Sequence, residues 1–238
     1  MEQSFFVKTY GCQMNQYDSE KIGELLVHNG FKKAKHLETS DVAILNTCHI
    51  REKASEKFYS DLGRLSVFKK NKEKLGEKMQ IVVMGCVAQA EGQEVIKRNS
   101  LVDYVVGPQN IQSIPKLLKT KSKEAIHTDF LCVEKFSSFP KSYLEGASRQ
   151  ITIQEGCDKF CSFCVVPYTR GNEYSRSVEG IYAEAKNLVE NGALEINLLG
   201  QNVSSYKSYI FDKSKKKLID LSKLCNILSS LPELKRIR

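Results

Sequence analysis

The residues of this 238-residue chain best suited to chemistry are its eight cysteines. Cys157, Cys161 and Cys164 fall within GCDKFCSFCVVPYTRG (156–171), spaced x3 then x2. Three thiolates this close can hold three corners of a 4Fe-4S cube and leave one iron open. Zinc prefers paired knuckles that together supply four ligands, and no second knuckle is present. Phe160 and Phe163 flank the ligands and are expected to shield a cluster from water.

Three further cysteines occupy equivalent places. Cys12, Cys48 and Cys86 each follow a short β-branched or aromatic run: FVKTYGC, VAILNTC and VVMGC. Such runs fill buried parallel strands. In an open α/β sheet the loops at the carboxyl ends of the strands lie along one edge, which is where these folds bind ligands. Three thiols delivered to that edge suit an iron–sulfur cube with one open iron, or a zinc with an open site. His49 is a possible fourth ligand. Gly11 and Gly85 precede two of the cysteines and let the backbone turn tightly there. Cys132 and Cys225 read as packing residues.

The elements that must position these groups follow one grammar. Strands are expected at 4–9, 42–46, 81–84 and 104–106, with helices at 19–29, 50–72, 93–98 and 111–118. This alternation predicts an α/β domain with an open parallel sheet over residues 1–120. Residues 121–148 hold five serines and a proline with little periodicity and read as a linker, with a short strand at 130–133. A second series begins at 149: strands at 151–154, 195–199 and 235–238, helices at 178–191 and 219–231. The residues from 149 to 238 provide about two and a half βα units, too few to close a barrel. The chain therefore reads as part of something longer.

Composition narrows the function classes. Hydrophobic residues at 41% and charged residues at 27% exclude disordered and collagen-like chains. No apolar run is long enough to cross a bilayer, and MEQSFFVKTY lacks the layout of a signal peptide. The expected setting is the cytoplasm, with no membrane partner, where thiols stay reduced and serve as ligands. The net charge of +8 is concentrated in residues 64–78, with six basic and two acidic residues, and 207–217, with five and one. Such clusters are either solvated surface or contacts for a polyanion.

TYGCQMNQYDSE (9–20), NTCHIREKA (46–54), GCVAQ (85–89), GPQN (107–110), EGCDKFCSFCVVPYTRG (155–171) and NLLGQNV (197–203) together resemble the MiaB-type tRNA methylthiotransferases of the radical S-adenosylmethionine (SAM) superfamily. The resemblance covers the whole chain in order. It implies the methylthiotransferase α/β domain followed by the first part of a radical SAM (β/α) partial barrel. It also implies SAM and two 4Fe-4S clusters as cofactors. Cys157, Cys161 and Cys164 would hold the cluster whose open iron binds SAM. Cys12, Cys48 and Cys86 would hold a second cluster that supplies the sulfur.

The implied reaction is radical removal of hydrogen from carbon 2 of N(6)-dimethylallyladenosine next to the tRNA anticodon, followed by 2-methylthiolation. The implied partners are the anticodon loop, an electron donor and a sulfur donor. Gln201 and Asn202 are candidate SAM contacts, and Arg170 is a candidate anion contact or the partner of a carboxylate. The rival readings are an inactive metal- or RNA-binding fragment, a zinc module, and a methylthiotransferase acting on another tRNA base or a ribosomal protein. Weak or no turnover is expected of residues 1–238 alone.

Overall fold

Strand and helix alternate through the first unit of the computed structural model, which describes residues 2–49, 52–120, 122–130, 132–212 and 215–238. The side chains of residues 52, 132–134, 211, 212 and 215, Cys132 among them, lie outside that description. Contacts group residues up to Phe139, with Tyr168–Arg170, into one unit, and Pro140–Pro167 with Gly171–Arg238 into a second.

The first unit is built on six parallel strands: β1 (Ser4–Thr9), β2 (Lys32–Lys33), β3 (Val42–Thr47), β4 (Gln80–Gly85), β5 (Tyr104–Val106) and β6 (Ile126–His127). Their order is β2-β1-β3-β4-β5-β6. The helices are α1 (Gln13–His28), α2 (Glu52–Lys74), α3 (Cys86–Glu91), α4 (Gln93–Arg98), α5 (Ile114–Thr120) and α6 (Cys132–Ser137). Residues 50 and 51, where the sequence pattern starts the second helix, lie outside the described residues.

Every residue of β3 is buried, because helices cover both faces of the sheet. Ile44, Val82 and Met84 join Phe5, Ile22 and Leu26 in one apolar cluster. Ala43, Leu45, Ile81 and Val83 join Phe58, Leu62 and Leu65 in the other. Successive strand residues thus serve opposite layers, as the two-residue pleat requires. The edge strand β2 is only two residues long and exposes Lys32 and Lys33, which discourages pairing with another chain.

Two expectations need correction. Residues up to Phe139 fold with the first unit, so much of the stretch 121–148 is not a free linker. Where a strand is expected at 130–133, residues 132 and 133 open α6, and residue 131 lies outside the described residues. Helical turns carry Lys135 into a buried ion pair with Asp18 (2.8 Å) and set the Phe136 and Phe139 rings edge to face at 6.1 Å.

The second unit holds a three-stranded parallel sheet, β7 (Ser148–Thr152), β10 (Glu195–Leu199) and β13 (Arg236–Ile237), in the order β13-β10-β7. Two short strands, β8 (Gln154–Glu155) and β9 (Tyr174–Ser175), pair antiparallel. Between them runs α7 (Val166–Arg170), and after them α8 (Val178–Glu190). Ser177 caps α8 by accepting from the Gly180 amide at 3.1 Å, a bond that satisfies one of the helix's orphan donors. The ribbon β11 (Lys207–Asp212) and β12 (Lys215–Asp220) leads into α9 (Leu221–Leu228). Helix α9 therefore starts two residues later than expected, since Ile219 belongs to the ribbon. Ile151, Ile153, Ile181, Leu188, Ile196, Ile219, Leu224 and Leu228 form the core of this unit.

Candidate metal centres

In the first unit, β1, β3 and β4 are immediate neighbours, and each is followed within three residues by a cysteine. Cys12 is the N-cap of α1, Cys48 follows Thr47, and Cys86 opens α3. Cys48 and Cys86 are buried and Cys12 is half-buried. The packing at this edge demands glycine. Gly11 has φ 122°, and a Cβ there would collide with Cys48 Cβ. Gly85 has φ 95°, and its Cβ would stand 2.5 Å from Asn46 Oδ1 and 2.6 Å from Thr47 O.

Two asparagines fix the loops. Asn15 Nδ2 donates to Asn46 Oδ1 (2.9 Å) and to Thr47 O (2.8 Å), while its Oδ1 lies 3.1 Å from Cys12 Sγ. Asn46 Nδ2 returns bonds to Asn15 O (2.8 Å) and Ser19 Oγ (2.9 Å). Both asparagines are fully buried, so these amides tie the Cys12 turn to the Cys48 turn with little freedom to shift. Neither was singled out from the sequence. The available signal was their position beside cysteines, in GCQMN and NTC.

A hydrogen bond from Cys48 holds the Cys12 thiol below the ordinary range, to about 5. Burial opposes this, and the Asn15 and Met14 amides at the start of α1 and the Arg170 charge reinforce it. Helix N-termini and nearby cations favour thiolates in general. His49, beside Cys48, keeps Nδ1 buried with no hydrogen-bond partner among the described residues.

Arg170 is buried and pairs with Asp18, Nη2 to Oδ2 at 3.0 Å. Lys135 meets the other oxygen of the same carboxylate. The carboxylate alternative raised for Arg170 is thus the one seen, and its guanidinium is held in the interior of the first unit. Asp18 was not anticipated.

In the second unit, the loop between β8 and β9 carries Cys157, Cys161 and Cys164. Its neck is closed by the Cys157 amide donating to Gly171 O (3.1 Å) and the Glu173 amide donating to Asp158 Oδ1 (2.9 Å). Gly156 (φ 77°) lies so close to the Asn172 backbone that no side chain fits. A lace of amides then joins this neck to the turn after β10. The Gly156 N–H donates to Gln201 Oε1 (2.7 Å), the Asn202 N–H to Gln154 Oε1 (3.0 Å), and Gln154 Nε2 to Gly156 O (2.8 Å). Asn202 Oδ1 accepts from Ser204 Oγ at 2.9 Å. Gln154 is buried and central to the lace, whereas the sequence pattern marks it only as the end of a strand.

Gln201→Ala is expected to destabilise the second unit by about 1–3 kcal/mol, because the buried Gly156 N–H loses its acceptor. Thermal unfolding of the metal-free chain reads this. A glutamine acting only on SAM would leave that unfolding unchanged, and Gln201→Glu, which keeps an acceptor, should restore it.

The shielding role expected of the aromatic pair is not what the loop shows. Phe160 is 57% and Phe163 92% exposed. Phe160 also has φ 46°, the one non-glycine residue with positive φ among the described residues. Strain of this kind persists only where surroundings enforce it.

The donors fit iron–sulfur chemistry. None of the seven cysteines with described side chains is in a disulfide, and soft thiolates are the ligands such clusters take. Among the described residues no group of three His, Cys, Asp or Glu is already placed to hold a single ion. A four-iron cube spreads its ligands more widely than one ion does.

A model described as uncharacterized protein family UPF0004 matches residues 4–107, and the Radical SAM superfamily matches 151–237. The chain thus joins a segment similar to UPF0004 to a segment similar to the Radical SAM superfamily, in that order. Over its full length the chain is 49% identical to tRNA-2-methylthio-N(6)-dimethylallyladenosine synthase of Rickettsia canadensis (strain McKiel), covering 54% of that protein. It is 51% identical to the enzyme of the same name from Wolbachia pipientis subsp. Culex pipiens (strain wPip), covering 98% of this chain and 52% of the relative. The chain spans about half the length of the curated relatives it matches. The fold is similar to that of the radical S-adenosylmethionine methyltransferase TsrM from Kitasatospora setae, solved with cobalamin and a [4Fe-4S] cluster. The TM-score is 0.55 at 11% identity, covering 86% of this chain and 49% of that one.

Proposed function

We propose that this chain serves 2-methylthiolation of N(6)-dimethylallyladenosine beside the tRNA anticodon, with Cys157, Cys161 and Cys164 holding the SAM-binding cluster and Cys12, Cys48 and Cys86 holding the second. The observation that carries this reading is the placement of Cys12, Cys48 and Cys86 at the ends of three adjacent parallel strands. When bound, the clusters supply single electrons, an open iron for SAM and the sulfur to be transferred. The chain's own residues hold and orient. Asn15 and Asn46 fix two of the ligand turns, Gly11 and Gly85 let the backbones approach, and the Gln154–Gln201 lace sets the root of the three-cysteine loop. An electron donor, a sulfur donor and a cytoplasmic setting belong to the same reading.

The test is anaerobic reconstitution with iron and sulfide. About eight irons per chain are expected, four for each cube. A colourless product that retains only zinc overturns the assignment. Binding of a tRNA anticodon stem–loop should weaken steeply as salt rises, because phosphate contacts release counterions.

A further inference from the structure

The two basic stretches of the sequence fare differently in the structure. In the first, Lys69 is buried on Asp103 (2.6 Å) and Leu101 O (2.9 Å), Lys72 donates to Ser40 O (3.0 Å), and Arg64 lies 3.7 Å from Asp61. Half of its six basic residues are engaged with the fold. The second forms the ribbon of β11 and β12, whose register pairs Lys207 with Asp220, Tyr209 with Leu218 and Phe211 with Lys216.

The pleat sorts the ribbon into two faces. Ser208 and Ile219 are buried, and Ile210 packs on the core of the second unit with Tyr206. The alternate residues Lys207, Tyr209, Lys216 and Leu218 are exposed. The ribbon therefore shows solvent a Tyr209–Leu218 pair with a lysine toward each end. Lys207 and Lys216 stand four strand positions apart, about 14 Å at ~3.4 Å per residue. Lys216 Nζ lies 3.9 Å from the Tyr209 ring centroid. Over residues 207–220 five lysines face two aspartates, and Asp220 is committed to capping α9 through the Lys223 amide (2.9 Å).

The ribbon is also continuous with the cysteine loop. The Lys207 N–H donates to Ser175 Oγ (3.1 Å) on β9. A cleft of about 400 Å3 lined by Asp158, Lys159, Glu173, Ser175, Ser205 and Lys207 joins the two. Its carboxylates are occupied: Asp158 accepts from the Glu173 amide, and Glu173 accepts from Ser205 Oγ (2.6 Å).

We propose that the outward face of the β11–β12 ribbon is an RNA-docking surface, with Lys207 and Lys216 on phosphates and the Tyr209–Leu218 pair against a base or ribose. This rests on the tRNA reading and names the part of the chain that meets the RNA. Cations flanking an aromatic platform are the arrangement that binds single-stranded nucleic acid, where stacking and phosphate contact act together.

The test is fluorescence anisotropy with a labelled anticodon stem–loop RNA over a salt series, using the 238-residue chain. Tyr209→Ala with Lys216→Glu should weaken binding about tenfold, equivalent to about 1.4 kcal/mol. It should also lower the salt slope by about one for the lysine lost. Tyr209→Phe with Lys216→Arg should bind as the parent does. Lys186→Glu, an exposed charge change on α8 in the same unit, should cost little, and circular dichroism melts establish that each variant folds. Equal losses in Lys186→Glu and the double variant would reduce the effect to net charge and overturn the assignment. Unchanged binding by the double variant would overturn the ribbon and leave the tRNA reading standing. No RNA binding by the parent would defeat both, and binding to phosphatidylserine vesicles in its place would assign the face to a membrane.

Discussion

Replacing Asp18 by alanine is expected to remove about 3–5 kcal/mol from the stability of the first unit. Its carboxylate is buried and shared between two buried cations, Lys135 at 2.8 Å and Arg170 at 3.0 Å. Taking away the anion leaves both charges in a poorly polarisable interior without it, a larger loss than the net worth of the pair. Domains are stable by about 5–15 kcal/mol, so the variant should stand near the edge of unfolding. The chain has no tryptophan, which makes far-UV circular dichroism in urea the suitable measurement. A lower midpoint at unchanged slope is the predicted signature. Asp18→Glu, which keeps the charge, should lose less. A shift worth under about 1 kcal/mol, the size typical of exposed pairs, would mean that the two cations are solvated and the account of this cluster is wrong.

The second large effect is the division of iron between the two cysteine sets. Cys48→Ala removes a ligand at the edge formed by β1, β3 and β4, and Cys161→Ala removes one from the loop between β8 and β9. Each should lower reconstituted iron from about eight to about four per chain, and the double variant should hold almost none. The two losses should add, because each cysteine set is carried by its own unit with its own core, and sites without shared partners behave independently. Iron unchanged in Cys48→Ala would remove that residue from the ligand set. Loss of all iron from either single variant would contradict two separately held clusters.

Much of the fold was legible because its central strands are buried on both faces. VAILN admits little besides an interior parallel strand, and the cysteines could be placed from the strand ends alone. The two-residue strands β2 and β6 could not be read, since so short a pairing leaves no periodicity. The ribbon escaped notice for a related reason: lysines run together through KSKKK and hide the alternation that Tyr209, Leu218 and Ile219 carry. The site was legible in its thiols and much less so in its supports. Asn15, Asn46 and Gln154 act through single amide bonds across the fold, and no spacing along the chain announces them. For Arg170 the sequence offered two partners, and the one present is a residue 152 positions away.

The amide lace that joins the three-cysteine loop to the turn after β10 runs between uncharged groups, glutamine side chains and peptide units. Proton concentration and dissolved ions have little purchase on such bonds. That part of the anchorage therefore stays constant across changes of pH and salt that would alter thiols or lysines nearby.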